Sequence, residues 1–171
     1  MKNIESVMKL NKTLVIFFSY TNNTRKIVDL IKSKIECDVL EIKTKTPYSN
    51  NYDEVVNDPN NQEDSSYIPE IENIDINLDS YSKIIIGTPT WWYRPTPAIR
   101  SFLTKYKLKQ DSIFAFSTNA GWLGKTFTEL HELCPNFLVK NGFNIEFKSY
   151  SDELRTKEDD ILKWISNISQ I

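Results

Sequence analysis

The chain is poor in three residue types on which many functional sites depend: it has four glycines, two cysteines and one histidine. The G-x-G-x-x-G pattern of dinucleotide-binding loops and the G-x-x-x-x-G-K-[ST] pattern of P-loops are both missing, which argues against those nucleotide sites. Cys37 and Cys134 form no C-x-x-C pair. The single histidine, His131, is not part of a cysteine or carboxylate cluster, so it does not indicate a metal site. We therefore predict two thiols in or near the core, and neither a metal site nor a disulfide.

Long hydrophobic runs and a strong charge of either sign are also missing. Residues 1–12 are polar and lack the apolar stretch of a signal peptide, and no later run approaches the length of a membrane-spanning helix. The net charge is −2, from 21 basic and 23 acidic residues, so there is no electrostatic footprint of nucleic-acid binding. We expect a cytoplasmic protein that binds neither nucleic acid nor a membrane.

The composition that remains is typical of one globular domain. The chain has 171 residues, of which 40% are hydrophobic and 26% are charged. We therefore predict a single domain over residues 1–171, with a polar N-terminal extension over residues 1–12.

Apolar periodicity predicts strands that alternate with helices. The predicted strands are residues 13–19, 38–44, 82–88, 112–117 and 143–149. The predicted helices are residues 24–34, 98–106 and 125–134, where Pro135 restarts the last one toward Lys140, and a final helix that Thr156 opens in a capping box. Residues 45–80, which we call the excursion, have no clear pattern apart from a short helix near residues 52–56. The β-α-β order predicts a parallel sheet with helices on both faces.

The first strand ends abruptly in a run of hydroxyl and amide side chains that precedes a helix. Free N–H groups at the start of a helix, together with the helix dipole, favour an anion at that position. The alternative interpretation is an ordinary N-cap, for which Ser, Thr and Asn are all preferred. Because a cap needs one such residue and this loop has five, we favour a phosphate site.

Two further strand ends carry unusual loops. Residues 89–93 contain three consecutive aromatic side chains, which suit a flat ring ligand better than an ordinary turn. Residues 118–124 supply backbone N–H groups and the small residues Gly121 and Gly124. The strand ends Ser19, Thr88 and Ser117 are not acidic, which argues against a phospho-acceptor receiver. A planar ligand that bears a phosphate would satisfy all three loops.

At these three loops the sequence resembles the flavodoxin family, over most of the chain from about residue 13. Residues 18–24 (FSYTNNT) are similar to the family's phosphate loop, residues 87–92 (GTPTWW) to its isoalloxazine loop, and residues 117–121 (STNAG) to its third flavin loop. The resemblance implies a three-layer α/β/α sandwich with a five-stranded parallel sheet in the order 2-1-3-4-5. It also implies tightly but non-covalently bound flavin mononucleotide (FMN).

The resemblance assigns candidate FMN-binding residues position by position. Asn22 stands where the family usually has glycine, and Asn tolerates the left-handed conformation better than most residues. The implied phosphate ligands are Ser19, Thr21, Asn22, Asn23 and Thr24. The implied ring and ribityl contacts are Thr88, Pro89, Thr90, Trp91 and Trp92, and the far side is closed by Ser117, Thr118, Asn119 and Gly121.

The leading functional hypothesis is a low-potential electron carrier that shuttles electrons through FMN and has no catalytic residue of its own. Its expected partners are a reductase and an acceptor protein, and the expected state is a monomer or weak dimer. The alternative is an FMN-dependent quinone or nitro-compound reductase that uses NADH or NADPH, because Tyr93 and Trp122 would suit a substrate-stacking pocket. A third hypothesis is a redox-silent binding domain.

Overall fold

The computed structural model describes residues 12–171, so most of the N-terminal extension predicted for residues 1–12 lies outside the described residues. A parallel sheet forms its centre, as the alternating pattern predicts. The parallel strands are β1 (Thr13–Phe17), β2 (Asp38–Glu41), β3 (Lys83–Trp91), β5 (Ser112–Asn119) and β6 (Gly142–Glu146). A two-residue strand, β4 (Arg94–Pro95), pairs antiparallel with the end of β3.

The spatial order of the parallel strands is β2-β1-β3-β5-β6. With the short β4 set aside, this is the predicted order 2-1-3-4-5, and the prediction is confirmed. Along the chain, β2 is added on one side of β1, and β3, β5 and β6 are then added on its other side. The position between β1 and β3 is therefore a switch point of the sheet, and open α/β sheets bind ligands outside the carboxyl ends of the strands at such a point.

Within residues 12–171, four helices cover the two faces of the sheet and a fifth lies in the excursion. They are α1 (Asn23–Lys34), α2 (Tyr52–Asn57), α3 (Pro97–Lys105), α4 (Thr126–Leu133) and α5 (Glu158–Ser169). The described part of the chain also contains three short 3₁₀ turns, at Pro59–Asn61, Leu78–Ser80 and Val139–Asn141. Within residues 12–171 there is no helix of the length and apolar character that crossing a membrane requires.

The strands are apolar along their whole length because both faces of the sheet are covered. In β3, Ile85 faces a core shared with α1 and α5, whereas Ile84 and Ile86 face the core shared with α3 and α4. All three are fully buried, and each contributes about 1.5–3 kcal/mol by leaving water. The two cores together make the predicted three-layer sandwich.

Two local predictions are wrong, each for a physical reason. The residue before a proline avoids the helical region, so α4 ends at Cys134 (φ −138°). No α-helix restarts at Pro135, and only the 3₁₀ turn Val139–Asn141 precedes β6. Thr156 forms no capping box, because its hydroxyl accepts the N–H of Glu146 at 2.8 Å and so ties the approach to α5 to β6. Helix α5 begins two residues later, at Glu158.

The excursion is ordered and anchored at several points. Its helix α2 matches the short helix predicted near residues 52–56, and it buries Val55. Further along, the Ser101 hydroxyl of α3 donates to the Pro69 carbonyl at 2.6 Å, and Ile71 packs into the core beside α3. The excursion therefore lies against the α3 face and reaches the carboxyl edge of the sheet.

Candidate functional site

A cleft of about 800 Å³ opens at the carboxyl edge of the sheet, where the three unusual loops meet. We call these loop 1 (residues 18–24, after β1), loop 2 (residues 89–93, from the end of β3) and loop 3 (residues 118–124, from the end of β5). Eight of the fourteen predicted site residues line the cleft: Thr21, Asn23, Pro89, Thr90, Trp91, Trp92, Thr118 and Asn119.

The other six predicted residues lie beside or beneath the cleft surface. Thr88 and Ser117 are fully buried in the sheet. The Ser19 side chain is hydrogen-bonded to the N–H of Arg25 in α1, and the Thr24 hydroxyl is paired with that of Thr118 in loop 3. Asn22 is exposed at the start of α1, and Gly121 is exposed in loop 3. The N–H of Gly121 donates to the Asn119 side-chain oxygen at 2.9 Å, which shapes the turn of loop 3.

Hydroxyl groups join the three loops to one another. The hydroxyls of Thr24 and Thr118 are 2.7 Å apart and connect loop 1 to loop 3. The Thr90 hydroxyl lies 2.7 Å from that of Ser117 and 3.0 Å from that of Thr126, so it connects loop 2 to β5 and to α4. Thr24, Thr118 and Ser117 therefore fix the relative positions of the loops.

The start of α1 has the properties of an anion site. Its N-cap, Asn22, has the left-handed conformation (φ 69°, ψ −3°) that asparagine tolerates, and its side chain makes no capping hydrogen bond. The first turn contains no acidic residue, so the helix dipole is not neutralised there. The side chain of Ser19 accepts the N–H of Arg25 at 3.2 Å and bends loop 1 around the helix end.

The two cations next to loop 1 are already paired. The Arg25 guanidinium binds Glu41 and lies over the ring of Phe17. Lys26 donates to the backbone carbonyl of Asp152 at 2.9 Å. An anion at loop 1 would therefore be held mainly by N–H groups, hydroxyls and the helix dipole.

Trp91 is the centre of an aromatic cluster at the base of the cleft. Its ring makes edge-to-face contacts with Phe18, Tyr20 and Tyr48, at centroid distances of 5.7, 5.6 and 5.1 Å. Burial raises the pKa of the Tyr48 phenol above its ordinary value. The Tyr20 hydroxyl donates to the Ser49 carbonyl at 2.7 Å and ties loop 1 to the excursion.

Trp92 and Tyr93 occupy the two central positions of the hairpin between β3 and β4. Both have positive φ, 47° and 66°, in a two-residue turn that usually selects Asn and Gly. Gly124 packs behind Tyr93 so closely that an added Cβ would lie 2.3 Å from the Cβ of Tyr93. Aromatic side chains in such a costly conformation favour a functional role for this turn.

Two walls of the cleft were not predicted from the sequence. One is α2, which contributes Tyr52, Val55 and Val56, and the other is the segment of residues 147–152 after β6. The spacing of the apolar residues in α2 is helical, but nothing in the sequence indicates that its apolar face reaches the strand ends. The aromatic ring of Tyr150 was likewise not assigned to the site.

A mostly buried ion pair holds the excursion against this site. The Arg94 guanidinium makes two hydrogen bonds to the Glu129 carboxylate, at 2.8 and 2.6 Å, and it also donates to the carbonyls of Glu63 and Ser65 at 2.8 and 2.7 Å. The bonded carboxylate raises the pKa of Arg94 further above its ordinary value. One side chain thus connects β4, α4 and the excursion.

The sheet order, the helices on both faces and the loops at the carboxyl edge define a flavodoxin-like α/β/α protein. The family model described as flavodoxin matches residues 12–168, and the chain therefore belongs to the flavodoxin family. A search of curated proteins found no match.

Solved structures share this fold. A candidate flavoprotein from Bacteroides eggerthii DSM 20697 is 25% identical over 92% of this chain and 98% of its own, with a TM-score of 0.68. A flavoprotein from Lactobacillus acidophilus NCFM, crystallised in complex with FMN, is 22% identical over 90% and 98%, with a TM-score of 0.63. A candidate flavoprotein from Bacteroides uniformis ATCC 8492 is 21% identical over 92% and 99%, with a TM-score of 0.70.

Proposed function

We propose that this chain binds FMN non-covalently in the cleft and acts as an electron carrier. The observation that carries the proposal is the meeting of three different loops at one cleft: a helix start whose N-cap side chain makes no capping hydrogen bond, a pair of aromatic rings on a hairpin, and the turn of loop 3. These three features match, in this order, the phosphate, the isoalloxazine ring and the far edge of that ring in one flavin nucleotide.

The cleft fits such a group in size and in chemistry. Its volume of about 800 Å³ lies within the range of small-molecule sites. Thr21 and Asn23 would hold the phosphate at the start of α1, where the side chain of the N-cap residue Asn22 makes no capping hydrogen bond. Thr90 and Thr118 line the cleft, and Trp92 offers a ring that is 39% exposed.

Bound FMN supplies the electron-transfer chemistry, and the protein supplies binding and orientation. The hydroxyl links between the loops hold the donors in place before the ligand arrives, which lowers the cost of binding. Trp91, held by its neighbouring rings, excludes water from the base of the cleft. The expected partners are proteins that deliver and accept electrons.

The test is the visible spectrum of the purified protein, followed by extraction and chromatography of any bound flavin. We expect a flavin absorption band and close to one FMN per chain, after reconstitution with FMN if the flavin is lost during purification. A protein that retains no flavin and does not bind added FMN would contradict the proposal and favour a redox-silent binding domain.

A second candidate function is an FMN-dependent reductase of quinones or nitro compounds. It is favoured by Tyr93 and Trp122, which line the cleft and are 41% and 62% exposed. Oxidation of NADH or NADPH by the FMN-loaded protein with a quinone acceptor, and without any added reductase, would favour this function. Dependence on an added reductase would favour the electron carrier.

A further inference from the structure

Helix α3 contains a buried arginine on the side of the sheet that the excursion covers. Arg100 is only 4% exposed, and its Nε atom has no hydrogen-bond partner within residues 12–171. The hydroxyl of the adjacent Ser101, in contrast, donates to the Pro69 carbonyl at 2.6 Å. Because a guanidinium group stays charged and buried donors are rarely left unpaired, the environment of Arg100 calls for an explanation.

A second unpartnered polar atom lies near this arginine. Burial raises the pKa of the Tyr48 phenol and the charge of Arg100 partly offsets that rise, so the two groups are within electrostatic range of each other. Asp58 acts on the same phenol more weakly, and its carboxylate accepts the N–H of Asn60 at 2.9 Å. Among the described residues, Tyr48 Oη and Arg100 Nε are the two buried side-chain polar atoms without a partner. Their occurrence side by side indicates one shared ligand.

The charges around Arg100 leave one positive charge without a counterion. Burial lowers the pKa of Arg100 and the charge of Arg94 lowers it further, whereas the Glu129 carboxylate acts in the opposite direction. That carboxylate already makes two hydrogen bonds to Arg94, at 2.8 and 2.6 Å. The group of two arginines and one carboxylate therefore carries a surplus positive charge, and this surplus favours an anion as the shared ligand.

Aromatic rings separate the Arg100–Tyr48 pair from the cleft. The Tyr48 ring contacts Trp91 and Phe18 edge to face, with centroid distances of 5.1 and 5.5 Å. Neither Tyr48 nor Arg100 is among the residues that line the cleft. In such apolar surroundings a water molecule would satisfy the two polar atoms but would leave the charge uncompensated, whereas an anion would do both.

We propose that Arg100 and Tyr48 form a buried binding site for one small monovalent inorganic anion of the size of chloride or bromide. The guanidinium supplies the opposite charge, and the Tyr48 hydroxyl donates a second hydrogen bond from the excursion. The anion would thereby fasten the excursion to α3. The site is separate from the cleft, and the proposal does not depend on FMN binding.

The test is thermal unfolding of the full chain, as purified, in a series of sodium bromide concentrations. Sodium gluconate, whose anion is large, keeps the ionic strength constant. We expect the midpoint of unfolding to rise with bromide along the curve of a single site. Crystals grown in bromide should show an anomalous peak within hydrogen-bond distance of Arg100 Nε and the Tyr48 hydroxyl. An unresponsive midpoint, or a water molecule at that position, would overturn the proposal.

Tyr48→Phe removes one of the two donors and keeps the ring. It should raise the apparent Kd for bromide at least about tenfold, because a hydrogen bond to a charged group is lost. Tyr81→Phe is the matched control, because Tyr81 is also buried but its hydroxyl already donates to Asp38 at 2.7 Å. The control should keep the Kd within about twofold of the unsubstituted value. Equal effects of the two substitutions would contradict the assignment.

Arg100→Met removes the charge and keeps an unbranched apolar stem. It should abolish the response to bromide. In gluconate alone, this variant should unfold at a temperature at least as high as the unsubstituted chain, because it no longer buries an unpaired charge. A bromide response that survives in Arg100→Met would overturn the proposal. If this variant does not fold, the Tyr48→Phe titration and the bromide crystals decide the question.

Discussion

At the scale of single residues, Thr21 is the most direct probe of the phosphate assignment. It is exposed, it lines the cleft, and it lies just before Asn22, the N-cap of α1, whose side chain makes no capping hydrogen bond. We expect Thr21→Ala to raise the Kd for FMN at least about tenfold, since a hydrogen bond to a charged group contributes about 1.5–3 kcal/mol. The Kd for riboflavin, which lacks the phosphate, should change by less than about twofold, within about 0.5 kcal/mol.

The control for this substitution is Thr128→Ala. Thr128 is also an exposed threonine near the start of a helix, α4, but it does not line the cleft. Fluorescence titration should give unchanged affinities for both flavins. Equal losses of FMN and riboflavin affinity in Thr21→Ala would contradict the phosphate assignment.

Tyr81 provides a residue-scale prediction about pH. Its hydroxyl donates to the Asp38 carboxylate at 2.7 Å, and burial together with this hydrogen bond raises the pKa of Tyr81 to about 12. Because the native state favours the neutral phenol, the stabilisation is complete below pH 10, the ordinary value, and is lost as the pH rises toward 12.

The substitution Tyr81→Phe should therefore lower the free energy of unfolding by about 1–2 kcal/mol at pH 8. The difference between the two proteins should shrink as the pH rises through the interval from 10 to 12. Urea denaturation at a series of pH values measures this, and a difference that stays constant up to pH 12 would be inconsistent with the hydrogen bond as the cause.

At the scale of elements, the excursion depends on Arg94. The side chains of Arg94 and Glu129 are only 14% and 12% exposed, so the loss of one partner leaves a mostly buried charge unpaired. We expect Arg94→Leu to lower the free energy of unfolding by about 3–5 kcal/mol. Lys109→Ala, which breaks an exposed pair with Asp79, should cost less than about 1 kcal/mol.

Urea denaturation of the two variants tests this difference. Similar small losses for both would mean that the Arg94 pair does not secure the excursion.

The elements themselves could mostly be predicted from the sequence. The buried strands could be predicted because runs such as Ile84, Ile85 and Ile86 are apolar on both faces. Helices α1 and α5 could be predicted because their apolar residues recur at helical spacing. The hairpin of β4 was missed because Trp92 and Tyr93 are not typical turn residues, and Pro95 suggested only the entry to a helix. Tertiary contacts, not local propensity, decide the conformation there.

At the scale of the whole molecule, the alternating pattern predicts a parallel sheet covered on both faces, whereas the strand order was implied by the resemblance to the flavodoxin family. Alternating strands and helices with right-handed crossovers restrict the topology, and the parallel sheet brings the ends of β1, β3 and β5 to one edge. The loop residues of the candidate site could therefore be grouped without a structure. Tyr52 and Tyr150 could not be, because they reach the cleft through long-range packing that no local pattern records.

The central claim is that the start of α1 and the three loops bind the phosphate and the ring of FMN together. Calorimetric titration of the flavin-free chain with FMN and with riboflavin, under the same buffer conditions, tests it most directly. We expect FMN to bind at least about tenfold more tightly, because the phosphate gains hydrogen bonds and the helix dipole. Equal affinities for the two flavins, or no binding of either, would contradict the account.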